Sequence, residues 1–237
     1  MASRRLIRRR VLAVVAALVV AAGLVWLVLA GPWFTIRQIR VQGGPAQLFQ
    51  DTGLKLGQPL FSAPLLRAKN TLLARAPWLA SATLSVVFPD QLVISVTLRR
   101  PVALAFVGAG DLIGLDASGV TLPVTAKDQA AYPYLSGVLV PATPYQKVTS
   151  SAGLGALTFL VDLPLPLRSE VSELVVSKGQ VSVYLLAGTE VALGAPTGLS
   201  EKASLLAQIL AQAQAKGLIV TRVDLSQPAA PSVTATP

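Results

Sequence analysis

Side chains that carry chemistry are scarce in this chain. Its 237 residues include no histidine and no cysteine. Ser-His and Cys-His nucleophilic pairs are therefore excluded, and so are metal sites built from those ligands. There is no Gly-x-Ser-x-Gly elbow and no Walker-type phosphate loop. The Gly108-Ala109-Gly110-Asp111 stretch is too short to cradle a phosphate, and it reads as a hairpin turn between two apolar runs. Paired carboxylates remain, and these can hydrolyse glycosidic bonds. The candidates are Asp111 with Asp116, and Glu170 with Glu173. The first pair brackets a strand-like run and the second begins one. Neither has the aromatic neighbours that line a sugar cleft. The sequence predicts no catalytic residue, no cofactor and no metal site.

With so little chemistry to place, the elements themselves become informative. The chain opens RRLIRRRVLAVVAALVVAAGLVWLVLAGPWF. Val11 to Ala30 is apolar apart from Gly23, and a helix of that length spans about 30 Å, the hydrocarbon thickness of a bilayer. A signal peptide usually has an apolar core of only about 7–15 residues, although Val28-Leu29-Ala30 leaves a cleavage reading open. The length favours a retained transmembrane helix over 11–30. Five arginines crowd its N-terminal flank, which predicts a cytoplasmic tail over 1–10 and about 200 residues on the outer side. Those five account for much of the formal charge of +9, since the remaining 15 basic groups face all 11 acids. The exported part is mildly basic and has no nucleic-acid binding face.

After the apolar run, FTIRQIRVQG reads as a strand whose parity breaks between Ile36 and Ile39, so a bulge or a bend is expected. A short helix is expected around Pro45 to Thr52. PLLRAKNTLLARAPW follows, with Leu65, Ala68, Leu72, Leu73 and Ala76 on one helical face and Pro77 as its stop. Next come two alternating runs. Ala80, Ala82, Leu84, Val86 and Phe88 share a face in the first; Leu92, Ile94, Val96 and Leu98 share one in the second. Pro89-Asp90-Gln91 joins them as a hairpin. Residues 34–100 thus predict a β-α-α-β-β unit ending at Arg99-Arg100-Pro101. The two arginines read either as a solvated strand end or as a partner contact.

Residues 101–226 predict a second, mainly antiparallel β-domain with flanking helices, so the fold class is α+β. Its strands are expected in ALAFVG, DLIGLD, Val120–Leu122, Tyr134–Ser136, VSELVVS, QVSVYLLAG, TEVALG and LIVTRVDLS. SAGLGALTFLVDL is a weak helix because of Gly153 and Gly155. LSEKASLLAQILAQAQAKG is a strong one, with Ser200 expected as its cap. The segment 227–237, QPAAPSVTATP, is uncharged and proline-rich, and is expected to be extended or disordered.

This order of pieces resembles the FtsQ/DivIB family of bacterial cell-division proteins. The residues that carry the resemblance are GPWFTIRQIRVQG, APWLASATLSVVFPDQLVISVTLRRPVA, LDASGVTLP and VDLS. The family pattern has a cytoplasmic tail, one membrane helix, a POTRA domain and an outer β-domain, although the tail here is barely ten residues. The resemblance implies a non-catalytic scaffold in the inner membrane, at the division septum, that binds FtsB/FtsL-type proteins and helps regulate septal peptidoglycan synthesis. No nucleic acid and no small-molecule substrate is implied. A final strand at a sheet edge offers open backbone groups to a partner strand. By position, Thr221, Val223, Asp224, Leu225, Ser226 and Gln227 would carry that contact; the other reading is that Val223 and Leu225 fill the core. The main alternative function is a POTRA-bearing export or assembly chaperone, which a second POTRA repeat would favour.

Overall fold

The structure is a computed structural model that describes residues 14–23, 34–108, 110–125 and 128–237. Residues 14–23 are helical and are labelled α1. The basic tail, both ends of the expected 11–30 span and Trp33 lie outside the described residues. Among the described residues, no helix is long and apolar enough to cross a membrane. Beyond α1 the chain forms two compact units that divide between Leu98 and Arg99.

The first unit contains β1 (Gln38–Gln42), α2 (Leu48–Asp51), α3 (Leu65–Arg75), β2 (Leu79–Val87) and β3 (Gln91–Leu98). The sheet order is β1-β3-β2, with β1 parallel and β2 antiparallel to β3. Period-2 alternation puts Leu92, Ile94 and Val96 into the core, where they meet Ala68 and Leu72 of α3 and Ala76 just after it. Each large side chain buried this way contributes about 1.5–3 kcal/mol. The parity break before β1 is a bend. Thr35 bridges Pro59, the Ile36 N–H donates to the Gln58 carbonyl, and Ile36 is fully buried before the ladder with β3 begins. β2 departs from the simple alternation. Its register shifts between Leu79 and Ser81, so Leu79 enters the core and Ala80 turns outward. Gly43 closes β1 at φ +82°, where a Cβ would lie 2.2 Å from the Val96 carbonyl oxygen. Only glycine tolerates both the left-handed backbone and that approach.

The second unit is a nine-stranded sheet with helices. In chain order it comprises β4 (Ala103–Val107), β5 (Asp111–Leu115), β6 (Thr121–Leu122), β7 (Tyr134–Ser136), α4 (Ser151–Asp162), α5 (Leu165–Arg168), β8 (Val171–Ser177), β9 (Gln180–Leu185), β10 (Glu190–Gly194), α6 (Leu199–Ala215), β11 (Ile219–Asp224) and β12 (Ser232–Thr236). The sheet order is β12-β11-β10-β9-β8-β7-β4-β5-β6. The pairs β4–β7, β7–β8 and β10–β11 are parallel and the others antiparallel. Leu157, Phe159 and Leu160 of α4 and Ala203 and Leu206 of α6 join one apolar core with Leu174, Val183 and Val191 of the sheet.

The weak helix forms because its ends and glycines fit the packing. The Ser150 hydroxyl accepts the Gly153 N–H at 3.1 Å as a cap. A Cβ on Gly155 would come within 2.9 Å of Pro196 and 2.8 Å of Leu199, so the small residue lets α4 approach the start of α6. Ser200 does not cap α6. That position belongs to Gly198 at φ +61°, and the Ser200 hydroxyl instead donates to the Asp162 carboxylate, tying α6 to α4. Lys202 is buried, with its ammonium donating to the Leu193 and Ala195 carbonyls at 2.6 and 3.2 Å. Burial lowers its pKa.

Of the two expectations for the proline-rich segment, extended or disordered, Ser232–Thr236 takes the extended one. After a turn in which the Ala230 N–H donates to the Gln227 carbonyl, Ser232–Thr236 pair with β11 as β12. The strand exists because β11 supplies a ladder, and its own burial pattern is almost wholly exposed.

Candidate partner-binding edge

A sheet of nine strands in open order has two edges, and each edge strand has one row of backbone groups without a ladder partner. The β6 edge is closed by the segment 143–148. The Thr121 N–H donates to the Gln146 carbonyl at 2.8 Å, and the Tyr145 N–H donates to the Thr121 carbonyl at 2.7 Å. The Thr121 hydroxyl donates to the Thr143 carbonyl at 2.8 Å and accepts the Gln146 N–H at 2.9 Å. Val120 bridges Lys147, and Thr121 is fully buried.

The turn leading into β6 is held by one carboxylate. Asp116 Oδ1 accepts the Ser118 N–H at 2.9 Å, the Ser118 hydroxyl at 2.8 Å and the Val120 N–H at 2.8 Å. Its Oδ2 is ion-paired with Arg99 at 2.5 Å. Burial pushes the Asp116 pKa up as the largest single influence, but the hydrogen bonds from Val120, Ser118 and Arg99 together outweigh it and hold the carboxyl below its ordinary value. Arg99 is thus committed to the turn of its own unit. Of the other candidate acids, Asp111 is exposed at the start of β5, and Glu173 accepts the Ser136 hydroxyl at 2.7 Å. Among the described residues, no group of three or more acidic side chains could hold a metal ion.

The β12 edge differs. Its residues Ser232, Val233, Thr234 and Thr236 are exposed, and only Ala235 is half-buried against the core. No charged residue occurs between Gln227 and Pro237. Edge strands commonly carry Lys or inward-pointing charge that discourages pairing, and β12 has none.

The structure distributes the six sequence-predicted contact residues unevenly. β11 has β10 on one side and β12 on the other, so the backbone of β11 is not the open edge. Val223 and Leu225 are fully buried in the core. Asp224 is half-buried and accepts the Ser226 N–H at 2.9 Å and its hydroxyl at 2.6 Å. Those two bonds, helped by the nearby Arg222 charge, lower the Asp224 pKa against the opposing effect of burial. Thr221, Ser226 and Gln227 are exposed, and the Thr221 hydroxyl donates to the Thr234 carbonyl at 3.2 Å. What sequence reading missed is β12 itself. Its signal is the β-branched content of SVTAT between Pro231 and Pro237.

The arrangement defines a class: a POTRA-type β-α-α-β-β unit followed by a β-domain with one bare edge. Residues 34–99 match the POTRA domain of the FtsQ type, and residues 103–226 match the C-terminal domain of cell division protein FtsQ/DivIB. The chain belongs to the FtsQ/DivIB family of cell-division proteins. Strand β12 lies C-terminal to the matched region. The cell division protein FtsQ of Streptomyces bingchenggensis is 28% identical over 239 residues, covering 97% of this chain and 88% of that protein. FtsQ of Koribacter versatilis is 32% identical over 88 residues, 36% of this chain and 25% of that protein. Among solved structures, the major extracytoplasmic domain of the trans isomer of DivIB from Geobacillus stearothermophilus is similar at 20% identity, with a TM-score of 0.33, covering 48% of this chain and 93% of that one.

Proposed function

We propose that this protein is a single-pass, non-catalytic membrane scaffold of the division machinery, anchored by residues 11–30 with its two units on the outer side. Its second unit holds an FtsB/FtsL-type pair by adding a partner strand to the open edge of β12, and so helps regulate septal peptidoglycan synthesis. Support comes from one observation above all: β12 is an exposed, uncharged edge, whereas the opposite edge of the same sheet is covered. Main-chain hydrogen bonds along such an edge supply affinity, and pockets for alternate side chains supply specificity. Thr221, Ser226 and Gln227 flank this strand and its turn as secondary contacts, while Val223 and Leu225 act by keeping β11 flat against the core.

The test is capture of the partner from membranes with Val233→Lys, which puts a charge on the edge strand at an exposed position. Recovery should fall by about tenfold or more, the equivalent of roughly 1.4 kcal/mol, while the variant stays folded. Unchanged recovery would remove β12 as the site. Depletion should leave cells unable to complete septa, and normal septation would remove the function.

A further inference from the structure

The first unit carries an aromatic cluster that its fold does not need. Phe34, Phe61 and Phe88 form a mutual contact, with ring centroids 5.3, 5.9 and 5.4 Å apart. Their segments are distant in sequence: the start of the unit, the short turn Leu60–Ser62 and the β2–β3 connection. Yet Phe61 is 51% and Phe88 58% exposed. The unit's core holds Ile36, Leu60 and Leu92 without them. Two exposed phenylalanine rings packed on a third, half-buried one mark a surface built for an apolar neighbour.

The register says which end of the unit this is. Gln38, the first residue of β1, pairs with Gln91, the first of β3, and Gln91 pairs with Val87, the last of β2. The cluster therefore sits at the end of the sheet where the chain enters. Phe34 is only four residues beyond Ala30, the end of the apolar run, and four residues reach no further than ~14 Å. The polar layer on each face of a bilayer is roughly 5–8 Å deep. If residues 11–30 span the membrane, the rings lie within reach of the lipid surface that the same chain crosses.

We propose that the Phe34–Phe61–Phe88 cluster inserts into the outer-leaflet interface of that bilayer and seats the POTRA unit on the membrane. This rests on the transmembrane reading of 11–30. A phenylalanine face entering the headgroup boundary is the mode used by interfacial anchors, and the tether makes the contact intramolecular, so modest apolar area suffices. Docking then fixes which way the unit's exit toward the second unit points.

The absence of native cysteine makes the test direct. The full chain is reconstituted in phosphatidylethanolamine/phosphatidylglycerol vesicles with one introduced cysteine, labelled with a fluorophore. Ser62→Cys reports the cluster, and Leu18→Cys reports the anchor. Lipids with quenchers at headgroup depth should quench the Ser62 label, and deep quenchers should quench the Leu18 label. Replacing two exposed rings, Phe61→Ser with Phe88→Ser, should lower the docked-to-undocked ratio by roughly tenfold or more. It should leave the circular dichroism unchanged. Phe61→Trp, made in a chain whose Trp26, Trp33 and Trp78 are replaced by Phe, should retain docking and show blue-shifted emission with lipid. A quenched Leu18 label with an unquenched Ser62 label overturns the docking and leaves the anchor standing. Ser62 quenching that persists in the double serine variant also overturns it, because the tether alone then explains proximity. An unquenched Leu18 label overturns the anchor, and the docking with it.

Discussion

The two edges of the nine-stranded sheet receive opposite treatment from the same chain. At β6, two residues of strand are covered by the backbone and side-chain bonds of segment 143–148, and one carboxylate organises the turn before them. At β12, five residues of strand present an uncharged, exposed face. An open edge is a liability in a soluble domain. One edge is closed with polar chemistry and the other is bare, and the proposed β12 contact rests on that contrast. The contrast also divides the expected effects of substitution: changes at the closed edge act on stability, and changes at the bare edge act on association.

The largest effect is expected at Asp116. Asp116→Ala strips the acceptor from the Ser118 and Val120 N–H groups and removes the ion pair with Arg99. Removing one member of a largely buried pair costs about 3–5 kcal/mol. All four tyrosines lie in the second unit and all three tryptophans precede it, so near-ultraviolet dichroism of tyrosine and fluorescence of tryptophan report on the units separately. The tyrosine transition should move to lower denaturant and the tryptophan transition should not. Equal shifts in both would deny that the carboxylate serves the second unit alone.

The same group sets an acid dependence. The folded-state pKa of Asp116 is lowered from 3.8, so its contribution to stability is fully present above that value. The contribution is lost as the pH falls through the lower, folded-state pKa. Asp116→Asn should therefore flatten the acid limb of the second unit's stability profile, measured by denaturant midpoint against pH. A limb as steep as in the parent chain would assign it to other acids.

A smaller loss is expected from Thr121→Val. The fully buried Thr121 donates its hydroxyl to Thr143 and accepts from Gln146 with it, and because those partners are exposed each lost bond costs about 0.5–1.5 kcal/mol. Hydrogen exchange at Gln146 and Tyr145 should quicken with it. Unchanged protection would mean the segment is held without the hydroxyl.

The closed edge and the bare edge also differ in how far sequence discloses them. The β2–β3 hairpin was legible because burial imposes period-2 alternation, and the Asp116 turn because Asp-Ala-Ser-Gly is turn chemistry. What failed was position-specific. Ser200 had the composition of a helix cap, but Gly198 at φ +61° takes that place and the Ser200 hydroxyl bonds the Asp162 carboxylate of α4 instead. Ala80 should have shared a face with Ala82, but the register shift at Leu79 turns it out. Strand β12 escaped because it buries almost nothing. Its existence depends on a ladder from β11, and a pairing partner leaves no periodic trace in an exposed strand. The same reasoning made β11 look like the edge, and of the two readings left open for Val223 and Leu225 the burial is that of core residues.

The smallest expected stability change makes the sharpest test of the contrast. Val233 is 44% exposed on β12, and a surface substitution away from buried features shifts stability by no more than about 0.5 kcal/mol. Val233→Lys should thus leave the tyrosine transition in place. It should also reduce self-association of the parent protein at high concentration, because a lysine on an edge strand discourages pairing with any other strand, including a second copy. Sedimentation of the two proteins side by side reads both quantities at once. If the lysine variant is as stable as the parent and less associated, the edge is a surface in use and not a part of the fold. If it unfolds the second unit, β12 is structural, and the distinction between the two edges disappears.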